Sequence, residues 1–591
     1  MKIADYIMEF VASLGIQDVF CVTGGGAMHM NNALGQSDKL NGVFMLHEQG
    51  AAIAAEAYAR VRDGYGCCLV TSGPGATNAL TGLVGAYIDS IPVIFISGQA
   101  KRADLIGNQG IRQFGIQEVD IISMVSSYTK YAVQIQGPED IKYEFQKAAA
   151  IAINGRPGPV WIDVPLDIQA TSIDIEDLKD FDVLTLPTYD VKEELVDETI
   201  QLLNKAKKPV IMLGHGIRLS HSIKLAREIY NELGIPVLTS WNGVDLIEES
   251  HPLYYGRPGM VGQRAANLIQ QSADFVLTIG TRLNLLNTGY NYESFLSRGV
   301  HVMVDIDENE WKKNQDKIET FVNKDIVAFM KAYCSHSTEE INAPKEWLEY
   351  CNKVKNKFSP FEGMITSKEH GRVNKYVFWK KMLDKAPKDS LFALGNSSIG
   401  MAANQIGRKY KDQRMISNYI CGSMGFDLPA AVGLAVASRK NVYCVTGDGS
   451  IMMNLQELQT IIHNHLPIKI VVMENEGYGA IRQTCKNFFH GIDFGCSPQT
   501  GVSCPDFLKV ARAFGFEADV CDNIDQLDEK LDQFLNCTKP FVLLVRQQLD
   551  DPVLPKLMSK LDHNGKMTSP KLHDMYPFVS EEDMKWLLPY E

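Results

Sequence analysis

The stretch TGDGSIMMN, residues 446–454, follows the apolar run NVYCV and precedes QELQTIIHNHLPIKIVVMEN. It reads as a buried strand that stops at a glycine-flanked acid, where a helix begins. A glycine-rich turn at the carboxyl end of a strand lets the backbone approach a phosphate, and the following helix offers it unpaired N–H groups. A carboxylate there repels the phosphate unless a hard divalent cation lies between them. Asp448 therefore points to Mg²⁺, which takes oxygen ligands together with substrate phosphates. A second oxygen ligand is then expected at the end of the next strand. Asn475, in MENEGYG, stands there, 475 − 448 = 27 residues on, the length of one helix plus one strand. For an isolated GDG a turn-stabilising aspartate is an equally good reading; the pairing with Asn475 favours the metal.

Outward from this stretch, short apolar runs alternate with longer helical patterns, the signature of α/β units on parallel sheets. VFCVTGG, GVFMLHE, GCCLVTSGPG, IPVIFISGQ and PVWIDVP form one group between residues 19 and 165. The charged stretch IDIEDLKDFDV separates it from KPVIMLGHG, IPVLTS, ADFVLTIGTRL and VHVMVDID, which end near residue 307. APKEWLEYCNKVKNKFSP, at 343–360, reads as a lysine-rich linker with helical content. LFALGN, RMISNY, NVYCVTGDG, IKIVVMEN and FVLLVRQ make a third group over 391–547, and the aperiodic tail after 550 is expected to lie over the surface as an extended arm. With 591 residues and 45% hydrophobic content, the chain has material for more than one core. The expected fold class is α/β, three doubly wound parallel-sheet domains at 1–180, 190–340 and 365–550, with a tail at 551–591. Ligands of such sheets bind where strand ends meet helix starts.

A net charge of −13, with lysines and arginines scattered, argues against nucleic acid as a partner. Twelve cysteines show no CxxC pair and no cysteine/histidine cluster at metal-ligand spacing, and Cys67 and Cys68 lie in an apolar run. They read as reduced core thiols of a cytoplasmic protein. MKIADYIMEFVASLG places Ile3, Ile7, Phe10, Val11 and Leu14 at helical spacing, with Asp5 and Glu9 interrupting any signal-peptide core. No apolar run reaches the roughly 18 residues that span a bilayer, so no membrane association is expected.

GDGSIMMNLQELQTIIHNHLPIKIVVMENEGYG resembles the diphosphate-binding motif of thiamine diphosphate enzymes, in the version found in acetolactate synthases. HEQGAAIAAEAYAR and TSGPGATNALTGLVGAYIDSIPVIFISGQ look like the pyrimidine-binding domain of that family, and CGSMGFDLPAAVG resembles the segment beneath the thiazolium ring. The resemblance covers nearly the whole chain. It implies that Asp448, the Asn475 side chain and the Gly477 carbonyl hold Mg²⁺, with Gly447, Gly449, Ser450, Tyr478 and Gly479 around the diphosphate. Further cofactor contacts are implied at Asn396, Ser397, Ser398 and Gly422, and, in the first domain, at Gly24, Gly25, Pro74 and Asn78. Enzymes of this family set the first domain of one chain against the third of another. A homodimer or homotetramer with the cofactor at the interface follows from the resemblance.

The thiazolium C2 proton is a very weak acid, and its removal needs an adjacent base. The cofactor's own amino group serves once its pyrimidine ring is protonated, and a carboxyl held in an apolar setting can share that proton. Glu48, at the start of EQGAAIAAEAYA, matches the family's glutamate for this role; as an isolated residue it reads equally well as a helix-dipole acid. Met424, in GSMGFDLP, matches the side chain that props the bent cofactor, although a bare methionine is more often core. His29 and His47 are candidate proton shuttles or structural hydrogen-bonders. Arg112, Gln113, Arg482 and Gln483 are candidates for binding a polar acceptor or carboxylate, or ordinary hydrogen-bonding residues, with Gln113 placed among the catalytic candidates.

Acetolactate synthases carry FAD beside the middle domain, and LGHGIRLS, GRPGMVGQRAAN, IGTRLNLLNTG and VDIDENEWKKN align with the contacting segments, placing Arg282, Asp305 and Asp307. A middle domain that kept its fold without a flavin stays open. The pocket departs from the family at Gly24, where a proline is usual, at Ile116 for phenylalanine and at Thr484 for tryptophan. Threonine for an indole enlarges the pocket and adds a hydroxyl. With the tail SPKLHDMYPF, this resembles a branch from surface-polysaccharide pathways that joins the two-carbon unit of pyruvate to a nucleotide-linked 4-keto sugar. The implied function is decarboxylation of pyruvate followed by carboligation to an acceptor carbonyl. A true acetolactate synthase, a simple 2-oxo acid decarboxylase and a non-catalytic binding relative are the alternatives.

Overall fold

A computed structural model describes residues 1–591 apart from 190, 191, 314, 319, 324, 337–342, 409, 411, 562, 563, 565 and 589–591. Residues 190 and 340, the expected ends of the middle domain, and Asn314 of VDIDENEWKKN lie outside the described residues.

Three parallel sheets organise the chain. The first comprises β1 (Asp18–Cys21), β2 (Asn41–Phe44), β3 (Gly66–Val70), β4 (Val93–Gln99), β5 (Tyr131–Gln134) and β6 (Val160–Pro165), in the order β2-β1-β3-β4-β6-β5. The middle sheet holds β7 (Pro209–Leu213), β8 (Val237–Thr239), β9 (Phe275–Ile279), β10 (Val300–Asp305) and β11 (Thr320–Asn323), in the order β11-β10-β9-β7-β8. The third sheet is built from β12 (Leu391–Leu394), β13 (Arg414–Ile416), β14 (Val442–Gly447), β15 (Ile468–Glu474), β16 (Glu517–Cys521) and β17 (Phe541–Arg546), in the order β13-β12-β14-β15-β17-β16. The α/β class expected from the sequence is what the chain adopts. Inner strands such as GCCLV, VIFISGQ and VWIDVP are buried along their whole length, because helices cover both faces of a parallel sheet.

The strands that the apolar-run pattern misses are β5, β11 and β16, one at the edge of each sheet. YAVQ is half-buried throughout and EADVC is buried only at Cys521. An edge strand has a neighbour on one side only, so its sequence need not be uniformly apolar.

Two segments differ from expectation. The stretch expected as a linker forms the helix Lys345–Lys357, whose Trp347, Cys351 and Val354 are buried in the middle-domain core. The tail is more than an arm: Lys556–Leu557 pairs antiparallel with Met575–Tyr576, and Leu572, Leu587 and Leu588 enter the same core. Among the described residues no helix is long and apolar enough to cross a membrane.

The first and third domains meet along two helices, Glu48–Arg62 and Asp427–Ser438, both made mostly of small apolar residues. A Cβ on Gly433 would lie 2.2 Å from the Ala54 carbonyl oxygen, and on the other side of the Glu48–Arg62 helix, within the first domain, one on Gly82 would lie 2.4 Å from the Ala52 Cβ. Contact this close needs glycine. A polar tie reinforces it: the Leu46 N–H donates to the buried Glu457 carboxylate at 3.2 Å.

Candidate active site

Gly447 of β14 pairs in register with Met473 of β15, so Asp448 and Asn475 leave neighbouring strands at adjacent tips. Asp448 is 1% exposed. Its Oδ2 accepts the N–H groups of Asn475 and Gly477, each at 3.0 Å, and its Oδ1 accepts the N–H of Gly449 at 2.9 Å. Burial pushes the carboxyl above its ordinary pKa, and the N–H bonds only partly offset that push. Asn475 contributes Oδ1, which is buried without a hydrogen-bond partner among the described residues.

The glycines have steric causes. A Cβ on Gly449 would strike the Tyr478 ring at 2.5 Å, and Gly477 has φ +113° with its Cβ direction 2.5 Å from the Cys496 carbonyl oxygen. Gly447 and Gly479 adjoin the same tips, with Ser397 Oγ 3.6 Å from a Cβ built on Gly447 and Asn475 Nδ2 2.8 Å from one on Gly479. Asn396 Nδ2 donates to the Ser423 carbonyl at 2.6 Å and to Asn418 Oδ1 at 2.5 Å, holding the Gly422 turn (φ +70°). Ser398 begins the helix Ser398–Ile406. Met424 is 39% exposed, and its Cε lies 3.7 Å from a Cβ built on Gly449.

Sequence reasoning missed the residues that fix this turn. Asp427 is fully buried; its Oδ2 accepts the Ser450 hydroxyl at 2.8 Å, and Ser450 Oγ accepts the Gly425 N–H at 2.9 Å. Asn454 Nδ2 adds a bond to the Gly425 carbonyl at 2.8 Å. An acid inside GSMGFDLPAAVG, an otherwise apolar run, was the available signal.

In the first domain, Glu48 opens its helix and its Oε2 accepts Asn78 Nδ2 at 3.0 Å, while its Oε1 lies 3.4 Å from a Cβ built on Gly75, next to Pro74. The neighbouring glycine turn packs against TSGPG: a Cβ on Gly24 would meet Thr71 at 2.5 Å, whereas Gly25 has open space there. His47 is accounted for structurally, its Nδ1 accepting the Gln49 N–H at 3.1 Å as the helix cap. His29 pairs with Lys2 Nζ at 3.1 Å, and burial with that lysine lowers its pKa. Gln113 donates to the Glu118 carbonyl at 3.0 Å. Glu118 in turn collects the N–H groups of Ile106, Phe114 and Gly115, which hold its carboxyl below the usual range against the upward push of burial. Ile116 is 91% exposed.

The Gly479–Phe488 helix sends Arg482 back to the Asn475 and Glu476 carbonyls, so this guanidinium braces the loop after β15 instead of standing free. Gln483 bonds Asn487, and Thr484 is exposed, its hydroxyl bonded to the Ala480 carbonyl at 3.1 Å. The structure thus gathers the candidate residues into two clusters, candidate half-sites around Glu48 and around Asp448. Among the described residues no hydrogen bond or ion pair joins Glu48, Asn78, Gly24 or Gly25 to the Asp448 group.

A separate cavity of about 740 Å³ lies between the first and middle domains, lined by Arg282 and Asp305 among others. Arg282 donates to the Ile88 carbonyl at 2.6 Å. Asp305 accepts the Asp307 N–H at 3.0 Å, and burial raises its pKa to about 6. Three buried polar atoms of lining residues lack a hydrogen-bond partner among the described residues, His215 Nε2, Trp241 Nε1 and Asn287 Nδ2, while Asp89 Oδ1 pairs with the Arg282 guanidinium at 3.7 Å.

Comparison with known families decides what this arrangement belongs to. The chain matches "Thiamine pyrophosphate enzyme, N-terminal TPP binding domain" over residues 1–124, the central domain over 196–333 and the C-terminal TPP binding domain over 395–545. It is 32% identical to the acetolactate synthase isozyme 2 large subunit of Escherichia coli (strain K12), covering 92% of this chain and 95% of that protein. Identity is also 32% to the chloroplastic acetolactate synthase 2 of Nicotiana tabacum (94% and 84% covered). The probable acetolactate synthase large subunit of Methanocaldococcus jannaschii is 32% identical as well (92% and 91%).

The chain belongs to the acetolactate synthase-like thiamine pyrophosphate enzymes.

The Asp448 half-site of this thiamine pyrophosphate enzyme fits a diphosphate held through a hard cation. A buried carboxylate, an unpartnered amide oxygen at the next strand tip and a glycine kept open beside an aromatic ring supply what such a group needs.

Proposed function

We propose that the chain decarboxylates pyruvate and transfers the two-carbon unit to the carbonyl of an acceptor larger than a second pyruvate, a nucleotide-linked 4-keto sugar of surface-polysaccharide synthesis. Thiamine diphosphate, when bound, supplies the electron sink for loss of CO₂ from a 2-oxo acid. Asp448, Asn475 Oδ1 and the Gly477 carbonyl would hold Mg²⁺ against its diphosphate, within the contacts given by Gly447, Gly449, Ser450, Tyr478 and Gly479. Asn396, Ser397, Ser398 and Gly422 complete that side. Glu48 would bond the pyrimidine ring nitrogen, with Asn78 fixing the carboxyl. Met424, steadied through the Asp427–Ser450–Gly425 chain, would prop the ring.

Assembly supports the same reading. Phe44 and Leu46, both 53% exposed, flank the Glu48 half-site, while Met424, Met452 and Met453 are exposed around the Asp448 half-site. A homodimer or homotetramer covers these apolar groups and joins each half-site to its complement on a second copy. The 740 Å³ cavity we assign to FAD, with Arg282, Asp305, His215, Trp241 and Asn287 as its contacts. All twelve cysteines are free thiols, eight of them buried, which supports the expectation of a cytoplasmic enzyme.

The single observation that carries the acceptor is Thr484, exposed on the helix that begins beside Gly477, where the family has an indole. The names of the relatives favour the second reading, an acetolactate synthase with pyruvate or 2-oxobutyrate as acceptor. The test is incubation with pyruvate, thiamine diphosphate and Mg²⁺, with and without nucleotide-linked 4-keto sugars, followed by mass spectrometry. A two-carbon adduct of the sugar is expected; acetolactate alone overturns the acceptor. A yellow protein with a flavin absorbance band is the expected sign of FAD, and a colourless one refutes it.

A further inference from the structure

The helix Gly479–Phe488 and the loop beyond it bring together Cys485, Asp493 and Cys496. Two sulfurs and a carboxylate oxygen, one ligand atom from each, lie within 4.8 Å of one another. Spacing along the chain, read as scattered core thiols, did not predict this. Both cysteines are free and fully buried, whereas Asp493 is exposed.

Backbone bonds hold the two cysteines in place. The N–H groups of Phe489 and Gly491 donate to the Cys485 carbonyl at 2.9 and 3.0 Å, turning the chain back through His490 and Gly491, both at positive φ. Thr500 Oγ1 accepts the N–H groups of Cys496 and Ser497 at 3.1 and 3.0 Å. The Cys496 carbonyl accepts the Tyr478 N–H at 2.9 Å, so the cluster is built onto the Gly477 turn itself.

A lone buried cysteine behaves as a small hydrophobe. Two with a carboxylate at their open side form a different environment, a mixed sulfur–oxygen donor set with one face toward water. Soft divalent cations of the zinc class favour such sets, binding three protein ligands and leaving a fourth position open. With metal–sulfur bonds of about 2.3 Å in a tetrahedron, the sulfurs sit roughly 3.8 Å apart, so the cluster needs to close by about 1 Å at most.

We propose that Cys485, Cys496 and Asp493 form a site for one zinc-class divalent cation, separate from the oxygen-rich Asp448 site. Binding makes two metal–sulfur bonds and one metal–oxygen bond, releases two thiol protons to solvent and changes no oxidation state. The cation ties the 489–496 loop to the helix and, through the Cys496 carbonyl, stiffens the Gly477 turn. Only that last consequence rests on the proposed cofactor role; the site stands without it.

The test uses the full chain, reduced, stripped of metal and kept in excess Mg²⁺ so that the Asp448 site is occupied, then titrated with Co²⁺. A sulfur-to-cobalt charge-transfer band saturating at one equivalent and displaced by Zn²⁺ is expected, because Co²⁺ on oxygen ligands alone gives no such band. Cys485→Ser should abolish the band. Asp493→Asn, a surface change that spares the core, should weaken Zn²⁺ binding by about tenfold or more, at least what losing an outer-shell partner does. No band at any Co²⁺ concentration, or a band unchanged in Cys485→Ser, overturns the site. So does a Cys485–Cys496 disulfide in peptide mapping together with no metal uptake after reduction. Retention of the cobalt band in protein that fails to hold thiamine diphosphate would count against the cofactor reading alone.

Discussion

The first and third sheets carry their strands in the same spatial order, second-first-third-fourth-sixth-fifth, yet the candidate chemistry leaves them at different strand ends. In the first sheet the charged residue follows the second strand, as Glu48 after β2. In the third sheet Asp448 follows the third strand and Asn475 the fourth. The tip of the first sheet that corresponds to Asp448 carries Thr71 and Ser72, neutral hydroxyl groups packed on Gly24 and Gly26. The third-sheet tip corresponding to Glu48 carries Asn418, which serves Asn396. A parallel sheet offers several equivalent tips, and the residue type placed at each decides its chemistry. On the function proposed above, one architecture would furnish a proton-holding half and a cation-holding half.

Substitutions can break this division. The largest effect is expected for Asp448→Ala, which should abolish Mg²⁺-dependent retention of thiamine diphosphate in equilibrium dialysis; undiminished retention would remove the cation from the third domain. Glu48→Gln should leave retention intact while lowering pyruvate turnover by about 10²–10⁴-fold in a steady-state assay, the range of a lost acid–base group. If both substitutions affect retention equally, the two halves do not differ in kind. Thr484→Trp should reduce turnover with a large acceptor by about 10–100-fold more than with pyruvate as acceptor, and equal losses would detach acceptor choice from the third domain.

Smaller effects sharpen the comparison at the seam and in the middle domain. Gly433→Ala forces a methyl group against the Ala54 carbonyl and should destabilise the chain by about 1–3 kcal/mol, read from denaturant unfolding, without changing the residues of either half-site. Asp305, raised by burial to about 6, keeps a proton in the folded chain that the unfolded chain has released above roughly pH 4. Stability is therefore lost as pH rises from about 4 through 6. Asp305→Asn removes that slope, and its melting temperature relative to the parent should improve by roughly 2–4 °C between about pH 4 and pH 7. A constant difference across that range would show that the carboxyl ionises in the folded chain as freely as outside it.

What the sequence disclosed follows from how each feature is encoded. Inner strands such as GCCLV and IKIVVME are written as apolar runs because both sheet faces are covered, and they were legible. EADVC and YAVQ, half-covered edges, mix polar and apolar residues and were not. The tail and the Lys345–Lys357 helix look polar in sequence because each buries only a few side chains, Trp347 and Leu587 among them. At the site, Asp448 and Asn475 were paired by counting one helix and one strand, a local rule that parallel sheets obey. Asp427, linked to the Gly425 turn through Ser450, and the Cys485–Asp493–Cys496 cluster depend on turns whose direction is set by contacts distant in sequence.

The Gly433–Ala54 seam has a consequence for how such a molecule changes over generations. At that contact a side chain has no room to grow, because a Cβ on Gly433 meets the Ala54 backbone, so drift at this position is confined to glycine. Thr484, exposed on the Gly479–Phe488 helix, meets no such ceiling, unlike Gly449 and Gly477 at the strand tips. Novelty in substrate choice can accumulate at such exposed positions while the frame stays put.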